Sequence, residues 1–233
     1  MRFVPLIPSS SEPGRWLPLG PLALAWDGAA QEGWPGALRR GAAVHAIHLP
    51  GQAPLEEGLA ALRAGLAPDF LVLPAARPES REAGFRLLGH LEGLLEATSG
   101  RGTKLALRIA GGAEAVVTDL LRQARAEAVG FCWHPDTADA ECLADRLWCG
   151  LCEPDSDLRL LQRLGYRWDM ALPAVEVDAF RRQAAALEAA HPGVLFPAEL
   201  PDTVMGRPVV PEEGLVFGRH LTGRADSDRE GGR

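Results

Sequence analysis

Residues 104–134, KLALRIAGGAEAVVTDLLRQARAEAVGFCWH, contain the unit that decides the fold. A short apolar run, 104–109, is followed by an amphipathic stretch, 113–128, in which apolar residues recur every three to four positions. A second apolar run, 129–134, comes next. A strand, a helix and a strand in this order form a right-handed crossover between two parallel strands. The stretch therefore predicts one βαβ unit of a parallel sheet.

The same alternation runs along most of the chain. Helical patterns occupy 54–67, 80–98, 113–128, 155–165 and 177–191. Eight strand candidates favour a single closed (β/α)8 TIM barrel over an open doubly wound sheet, and they are 22–27, 44–49, 69–75, 104–109, 129–134, 147–152, 168–174 and 194–200. A ninth candidate, 3–7, is either the true first strand, which displaces one of the others, or a plug under the barrel. We expect one domain over 1–221 and a disordered tail over 222–233, which has almost no apolar content.

The strand candidates also predict which side chains fill the barrel. Neighbouring residues of a strand point to opposite sides of the sheet. In 104–109 the bulky residues share one face, and Ala106 and Arg108 share the other. The same split recurs in 22–27, 44–49 and 129–134. We expect the bulky faces to pack on the helices and the small faces to fill the interior.

The small face of several strands ends in a polar residue. These residues are Asp27, His48, Arg108, His134 and Glu199. Functional sites of such barrels lie at the carboxyl ends of the strands, so this pattern predicts a site at that mouth. The alternative for each residue taken alone is that it ends its strand and faces water.

Composition excludes several classes of protein. The chain has 31 acidic and 24 basic side chains among 233 residues, and its net charge of −7 argues against a general nucleic-acid binder. The sequence contains no apolar run of the roughly 18–20 residues that a membrane span needs. The first 16 residues are too interrupted by proline for a signal peptide. We therefore predict a cytoplasmic protein that acts on a small molecule; its oligomeric state is not predicted.

The segment RLWCGLC, 146–152, contains a C-x-x-C motif. The motif is typical of a thioredoxin-like redox site, of half a zinc site, or of a buried strand that contains two thiols. A redox motif stands at a helix N-terminus, where the thiol pKa falls. Here EPDSD separates Cys152 from the next helical pattern, and an extended strand places Cys149 and Cys152 on opposite faces.

A zinc knuckle needs a second close pair of cysteines. The other two cysteines, Cys132 and Cys142, are ten positions apart. The preferred interpretation is therefore a buried sixth strand with reduced, unbridged thiols. In that interpretation Gly150 and Cys152 fill a narrow barrel interior.

Four segments together resemble a known family. They are DFLVLPAARPES (69–80), GTKLALRI (102–109), AVGFCWHPDTA (128–138) and VDAFRRQAAALEAAHPGVLFPAELP (177–201). Their order resembles the xylose-isomerase-like TIM barrels, the group of sugar-phosphate isomerases, epimerases and endonuclease-IV-like enzymes. The last segment is similar to the family's final helix–strand unit, whose strand ends in a glutamate ligand. The resemblance implies that Glu199 is a metal ligand.

The chain departs from the family at three positions. Arg108 stands where the family has its first metal-binding glutamate, His134 stands at the aspartate position, and Thr137 at the histidine position. Arginine stays charged and has no lone pair to offer a metal. Arg108 is therefore interpreted either as an internal cation that replaces the metal and pairs with Glu199, or as the group that binds a substrate phosphate or carboxylate.

Two functions follow as hypotheses. The first is a sugar (phosphate) isomerase or epimerase that acts on a small polyhydroxylated, anionic substrate, with Glu199 as ligand or general base and His134 and His48 as proton carriers or ligands. The candidates for substrate binding are Arg108, Asp27 and Trp133. The candidates for a divalent metal site (Mn, Mg or Zn) are Glu199, His134, Asp136 and Glu153, with His48 as a further ligand. The alternative is a catalytically silent, metal-free barrel that binds a metabolite or a protein partner.

Overall fold

The computed structural model describes residues 2–51, 54–76, 78–109, 111–124, 126, 128–164, 166 and 168–191. The chain divides into two compact units, 1–195 and 196–233, and every described residue belongs to the first unit. The predicted domain end at 221, the predicted tail and the strand candidate 194–200 lie outside the described residues.

Eight parallel strands form a closed barrel in chain order. They are β1 (Phe3–Pro8), β2 (Leu22–Ala25), β3 (Val44–His48), β4 (Pro68–Ala76), β5 (Lys104–Ile109), β6 (Val129–Trp133), β7 (Leu147–Leu151) and β8 (Met170–Pro173). The barrel closes where Phe3 pairs with Met170 and Val4 with Ala171. The predicted TIM barrel is confirmed, and segment 3–7 is its first strand, so all eight positions are filled by described strands.

Six α-helices lie among the described residues. They are α1 (Trp34–Arg39), α2 (Pro54–Arg63), α3 (Arg81–Thr98), α4 (Glu114–Gln123), α5 (Arg159–Arg163) and α6 (Val177–Ala190). Ser80 caps α3, since its Oγ accepts a hydrogen bond from the Ala83 amide at 3.1 Å. Only 3₁₀ turns, Leu17–Leu19 and Glu141–Arg146, precede β2 and β7. No helix in the described part of the chain is long and apolar enough to cross a bilayer.

Two apolar layers hold the barrel together. The outer layer lies between the sheet and the helices and contains bulky strand residues such as Leu24, Ile47, Leu107 and Phe131. The inner layer consists mostly of small side chains: Val4, Ala23, Ala46, Phe70, Val72, Ala106, Cys132, Cys149, Leu151 and Ala171. The predicted split of bulky and small faces is confirmed for β2, β3, β5 and β6.

Strand β7 departs from the prediction because it contains a β-bulge. On β6, Phe131 and Cys132 are consecutive, but their partners on β7 are Leu147 and Cys149. Trp148 is therefore an extra residue, and one extra residue reverses the alternation of the side chains beyond it.

The bulge decides where the C-x-x-C cysteines lie. Cys149 is in the inner layer, whereas Cys152 packs in the outer layer. A Cβ at Gly150 would lie 2.4 Å from Sδ of Met170, which also belongs to the outer layer. The prediction that Gly150 and Cys152 fill the interior is thus wrong.

The predicted free state of the motif's thiols is confirmed. All four cysteines are unbridged, and only Cys142 is exposed. Burial raises the pKa of Cys152 to about 12, and burial also raises the pKa of Cys149. Neither thiol forms an appreciable thiolate at neutral pH, which a redox motif requires.

Candidate functional site

Three basic side chains meet at the mouth of the barrel, the end formed by the carboxyl termini of the strands. His48 ends β3, Arg108 is the next-to-last residue of β5, and His134 directly follows β6. Burial, and then the charge of Arg108, lowers the pKa of both histidines, so the guanidinium is close enough to act on each ring. The structure thus brings together three of the five polar strand ends that the sequence pattern predicts.

His48 is the most buried member of the group, with 7% of its surface exposed. Both ring nitrogens, Nδ1 and Nε2, are buried without a hydrogen-bond partner among the described residues. Burial, and then the charge of Arg108, lowers the pKa of His48 to about 3, so its imidazole is neutral at physiological pH. An unpartnered buried polar group costs about 1–3 kcal/mol, a cost that a ligand hydroxyl or oxyanion would offset.

His134 is held by the turn that follows β6. Its amide donates to Thr137 Oγ1 at 3.2 Å, and its carbonyl accepts from the Thr137 amide at 2.8 Å. The Asp136 amide donates to His134 Nδ1 at 3.3 Å, which leaves the proton of the neutral ring on Nε2.

The charges around His134 act in opposite directions. Burial and Arg108 lower its pKa, whereas the carboxylates of Asp136 and Glu153 raise it. The Asp136 Oδ2 lies 3.3 Å from Nδ1, but the pair is an ion pair only when the imidazole is protonated. The lowering effects win, so His134 at neutral pH is a half-buried, neutral imidazole, and its role as a proton carrier stays a prediction.

Arg108 is half-buried on the interior face of β5. It forms no ion pair or hydrogen bond with any residue that the structure describes. Its predicted partner, Glu199, lies outside the described residues, so the internal-cation interpretation stays a prediction. Within the described mouth, the guanidinium acts electrostatically on two neutral imidazoles and has no described anionic partner.

Two residues that the sequence pattern does not reveal join the loops of this site. Glu114, at the start of α4, is 2% exposed, and its Oε1 accepts from the amides of Ala138 at 2.6 Å and Asp139 at 3.3 Å. A Cβ at Gly111 would lie 2.4 Å from the Asp136 carbonyl oxygen, so only glycine permits this approach. These contacts fix the loop of His134 against the loop that follows Arg108. In a sequence, a glutamate in the first turn of a helix indicates only that it stabilises the helix N-terminus. Its role in joining the loops is hidden, because its partners are backbone amides far along the chain.

Asp27 stabilises the loops beyond β1 and β2. Ser9 Oγ donates to Asp27 Oδ1 at 2.7 Å, and Ser10 Oγ donates to Oδ2. Burial alone would raise the pKa of Asp27, but the bonds from Ser10 and Ser9 lower it overall. The Ser9 carbonyl also accepts from Trp34 Nε1 at 3.0 Å. The Asp27 carboxylate is thus engaged by two hydroxyls of its own rim.

Of the remaining predicted site residues, Asp136 and Glu153 act on His134 from the exposed rim, Trp133 lies on the other side of the sheet, and Glu199 lies outside the described chain. Trp133 is 3% exposed and packs in the outer layer, on the helix side of the sheet. Asp136 and Glu153 are exposed, and Ser156 Oγ accepts from the Glu153 amide at 2.8 Å. Glu199 is not among the described residues.

The described residues do not fit the metal ion that the family resemblance implies. Among them, no three His, Cys, Asp or Glu side chains lie close enough to share an ion. The nearby guanidinium of Arg108, which already lowers the pKa of both histidines, would also repel a dication. The described mouth is better suited to an anion than to a metal ion. The predicted metal site of Glu199, His134, Asp136 and Glu153 stays a prediction, because Glu199 lies outside the described residues.

Comparisons with known proteins bear on the fold. No family model matches the chain, and no curated protein matches it. A xylose isomerase domain protein from Planctomyces limnophilus is similar in structure, with a TM-score of 0.57 and 10% identity over 81% of this chain and 94% of that chain. The TTHB071 protein from Thermus thermophilus, soaked with ZnCl2, has a TM-score of 0.57 and 18% identity over 82% of this chain and 99% of that chain. At these identities the likeness shows the fold alone, and that fold is the closed (β/α)8 barrel that the segment order predicts.

Proposed function

We propose that the protein is an isomerase- or epimerase-like enzyme for a small polyhydroxylated, anionic substrate bound at the mouth. One observation carries the proposal. His48 is buried with both ring nitrogens unpartnered among the described residues, beside an Arg108 that lacks a described counterion. Neutral imidazoles are suited to substrate hydroxyls, and a free guanidinium is suited to a phosphate or carboxylate.

Each residue of the mouth has a separate role in this chemistry. Isomerisation and epimerisation move a proton at the carbon beside a carbonyl, so they need one group that accepts a proton and one that returns it. Arg108 binds the anionic group of the substrate, and His134 donates from Nε2. His48 orients a substrate hydroxyl, since a pKa of about 3 makes it a weak base. Glu199 is retained as the candidate base, on the resemblance alone.

The similar structure of a xylose isomerase domain protein supports this class of chemistry, at the level of the fold. The described residues do not form a metal site, and no step above depends on one. If the metal ligands of the family are used instead, Glu199 is required for metal binding. Elemental analysis that finds one equivalent of Zn or Mn, lost in Glu199→Gln, would replace this proposal with a metal-dependent one.

Proton exchange tests the proposal across a panel of candidate substrates. The protein is incubated in D2O with ketoses, aldoses and their phosphates, and NMR follows deuterium entering the carbon beside the carbonyl. We expect exchange with one phosphorylated or carboxylated member, reduced roughly 100-fold in His134→Gln. His90→Gln, on α3, is the matched control and should exchange at the wild-type rate. Equal exchange in both variants would contradict the role of His134.

A catalytically silent barrel that binds an anionic metabolite is the second candidate. The low pKa of His48 and the engaged carboxylate of Asp27 favour it, because both weaken proton transfer at the mouth. In that case phosphate or a sugar phosphate raises the melting temperature by mass action, while no deuterium is incorporated. Binding without exchange across the panel would select this candidate.

A further inference from the structure

The floor of the barrel, at the amino ends of the strands, has a cavity of about 370 Å³. Its lining includes His45, Asp69, Phe70, Lys104, Trp168 and Asp169. The cavity lies at the opposite end from Arg108 and His134, and its volume falls within the range of small-molecule sites.

Two aromatic rings form the apolar wall of this floor cavity. The Phe70 and Trp168 rings have centroids 6.5 Å apart and an interplanar angle of 79°. Phe70 is part of the inner layer, but Trp168 is 48% exposed. A half-exposed tryptophan beside a second ring is suited to stack on an organic cation, because both rings have electron-rich faces.

His45 supplies an unpartnered polar group in the lining. It is 6% exposed, and its Nε2 is buried without a partner among the described residues. Its Nδ1 lies 3.7 Å from Asp69 Oδ2, too far for a hydrogen bond. The ring packs edge-on against Phe70, with centroids 5.3 Å apart.

The rim carries two opposite charges that do not neutralise each other. Lys104, the only lysine of the chain, pairs across the sheet with Phe70, the residue after Asp69. No ion pair joins Lys104 to Asp69 or to any other described residue, and its Nζ lies 5.4 Å from the ring centroid of Trp148. The second carboxylate, Asp169, is already paired with Arg2. One carboxylate and one ammonium thus remain at separate points of the cavity.

We propose that this floor cavity binds a small zwitterion that carries a substituted ammonium and a carboxylate. The ammonium lies against Trp168 and Phe70 beside the Asp69 carboxylate, and the carboxylate of the ligand lies on Lys104. Amino acids and betaines belong to this class. The site is independent of the function proposed for the mouth.

Three small probes separate the contributions of the two charges. Glycine betaine has both charges, choline has only the cation, and propionate has only the anion. Calorimetric titration of the full-length protein at millimolar probe concentrations measures each dissociation constant. We expect saturable binding of betaine, with choline and propionate each weaker by roughly tenfold, the loss of about 1.4 kcal/mol.

Four variants test the named contacts. Trp168→Ala should weaken betaine and choline alike, and Lys104→Met should remove the preference for betaine over choline. Phe85→Ala, a similarly exposed aromatic on α3, and Arg63→Met, on α2, are the matched controls and should bind as wild type. Absence of saturable betaine binding in the wild type, or equal affinity for betaine and choline, would overturn the proposal.

Arg108→Met distinguishes the floor from the mouth. Betaine binding should be unchanged in this variant, because Arg108 lies at the other end of the barrel. Loss of betaine binding would mean that the zwitterion enters the mouth, and the floor site would be rejected. The mouth proposal fails separately, through the deuterium exchange experiment.

Discussion

Strand β3 has a buried histidine near each end, and the two differ in the charges around them. Burial lowers the pKa of His45 at the floor, and the nearby carboxylates of Asp169 and Asp69 oppose part of that lowering. His48 at the mouth has Arg108 beside it, which lowers its pKa further, to about 3. Burial is common to both, so the neighbouring charge decides which ligands each end accepts. The mouth is suited to anions, and the floor to a ligand with a cationic group.

A β-bulge in β3 explains why both histidines lie at the barrel interior. Residues three apart on a regular strand point to opposite faces, so His45 and His48 would not both contact the interior. Leu22 pairs with Val44, but Ala23 pairs with Ala46, and His45 is therefore an extra residue. The extra residue brings His45 against Phe70 of the inner layer while Ala46 and His48 keep their inward positions.

The largest expected effect is the loss of activity when the mouth loses its cation, Arg108. Arg108→Met should lower the rate of deuterium exchange roughly 100- to 1,000-fold, because an oriented charge that stabilises an anion contributes on this order. Lys104→Met should leave the rate unchanged, because the side chain lies at the floor. Exchange kinetics with the same substrate measure both.

The contrast between the mouth and the floor would be wrong if the two variants changed the exchange rate alike. Equal loss of activity in Lys104→Met would mean that the floor supports the chemistry. An unchanged exchange rate in Arg108→Met would mean that Arg108 does not bind the anionic group of the substrate at the mouth.

The next effect concerns packing near the floor. A Cβ at Gly130 would lie 2.2 Å from the Trp148 ring and 2.9 Å from the Arg146 carbonyl oxygen. Gly130→Ala should therefore lower the free energy of unfolding by about 3 kcal/mol, through overpacking. Gly89→Ala, on α3 with open space around it, is the control and should raise it by about 0.5–1 kcal/mol. Chemical denaturation measures both, and a neutral Gly130→Ala would show that the Trp148 ring is free to move aside.

The sequence predicts the outer layer better than the interior. Alternating bulky residues such as Leu105 and Leu107 identify the helix-facing side, because the hydrophobic effect selects for size there. The bulges at His45 and Trp148 are invisible to a period-two pattern, and the bulge at Trp148 explains the wrong orientation of Cys152.

For the site, the sequence pattern identifies residues by their position at strand ends. It correctly groups His48, Arg108 and His134 at one mouth, since all parallel strands end on the same side. It could not reveal Glu114, whose partners are amides 24 and 25 positions away. The alternation of β6 correctly turns Trp133 toward the helices, on the side of the sheet away from the interior, so its candidacy as a substrate-binding residue conflicts with the same pattern.

A pH effect distinguishes the two histidines. The pKa of His48 is about 3 in the folded protein and 6.5 in the unfolded chain, so between these values the unfolded state binds the extra proton. Stability from this residue is full above pH 6.5 and declines as the pH falls, by about 2 kcal/mol between pH 7.5 and pH 5. His48→Leu should lose that part of the pH dependence, and His45→Leu should lose less, because carboxylates oppose the shift there.

Denaturation at the two pH values measures these differences. Titrating groups far from β3 contribute equally to the wild type and to each variant, so the differences between variants report on each histidine together with the groups coupled to it. A pH dependence that His48→Leu does not change would mean that water reaches the His48 ring.

The smallest effect is on stability when the same two cations are removed. Lys104→Met should cost about 0.5 kcal/mol, the contribution of an exposed cation over an aromatic ring such as Trp148. Arg108→Met should leave the free energy of unfolding unchanged or raise it slightly. The substitution removes a half-buried guanidinium that has no described partner, and with it the desolvation penalty of that charge. If Arg108 instead pairs with Glu199 as an internal substitute for a metal, Arg108→Met should cost about 3–5 kcal/mol, since it leaves a buried carboxylate alone. Glu199→Gln added to Arg108→Met should then recover part of the loss. The denaturation curves of the single and the double variant therefore distinguish an Arg108 that binds substrate from an Arg108 that stabilises the fold through an ion pair.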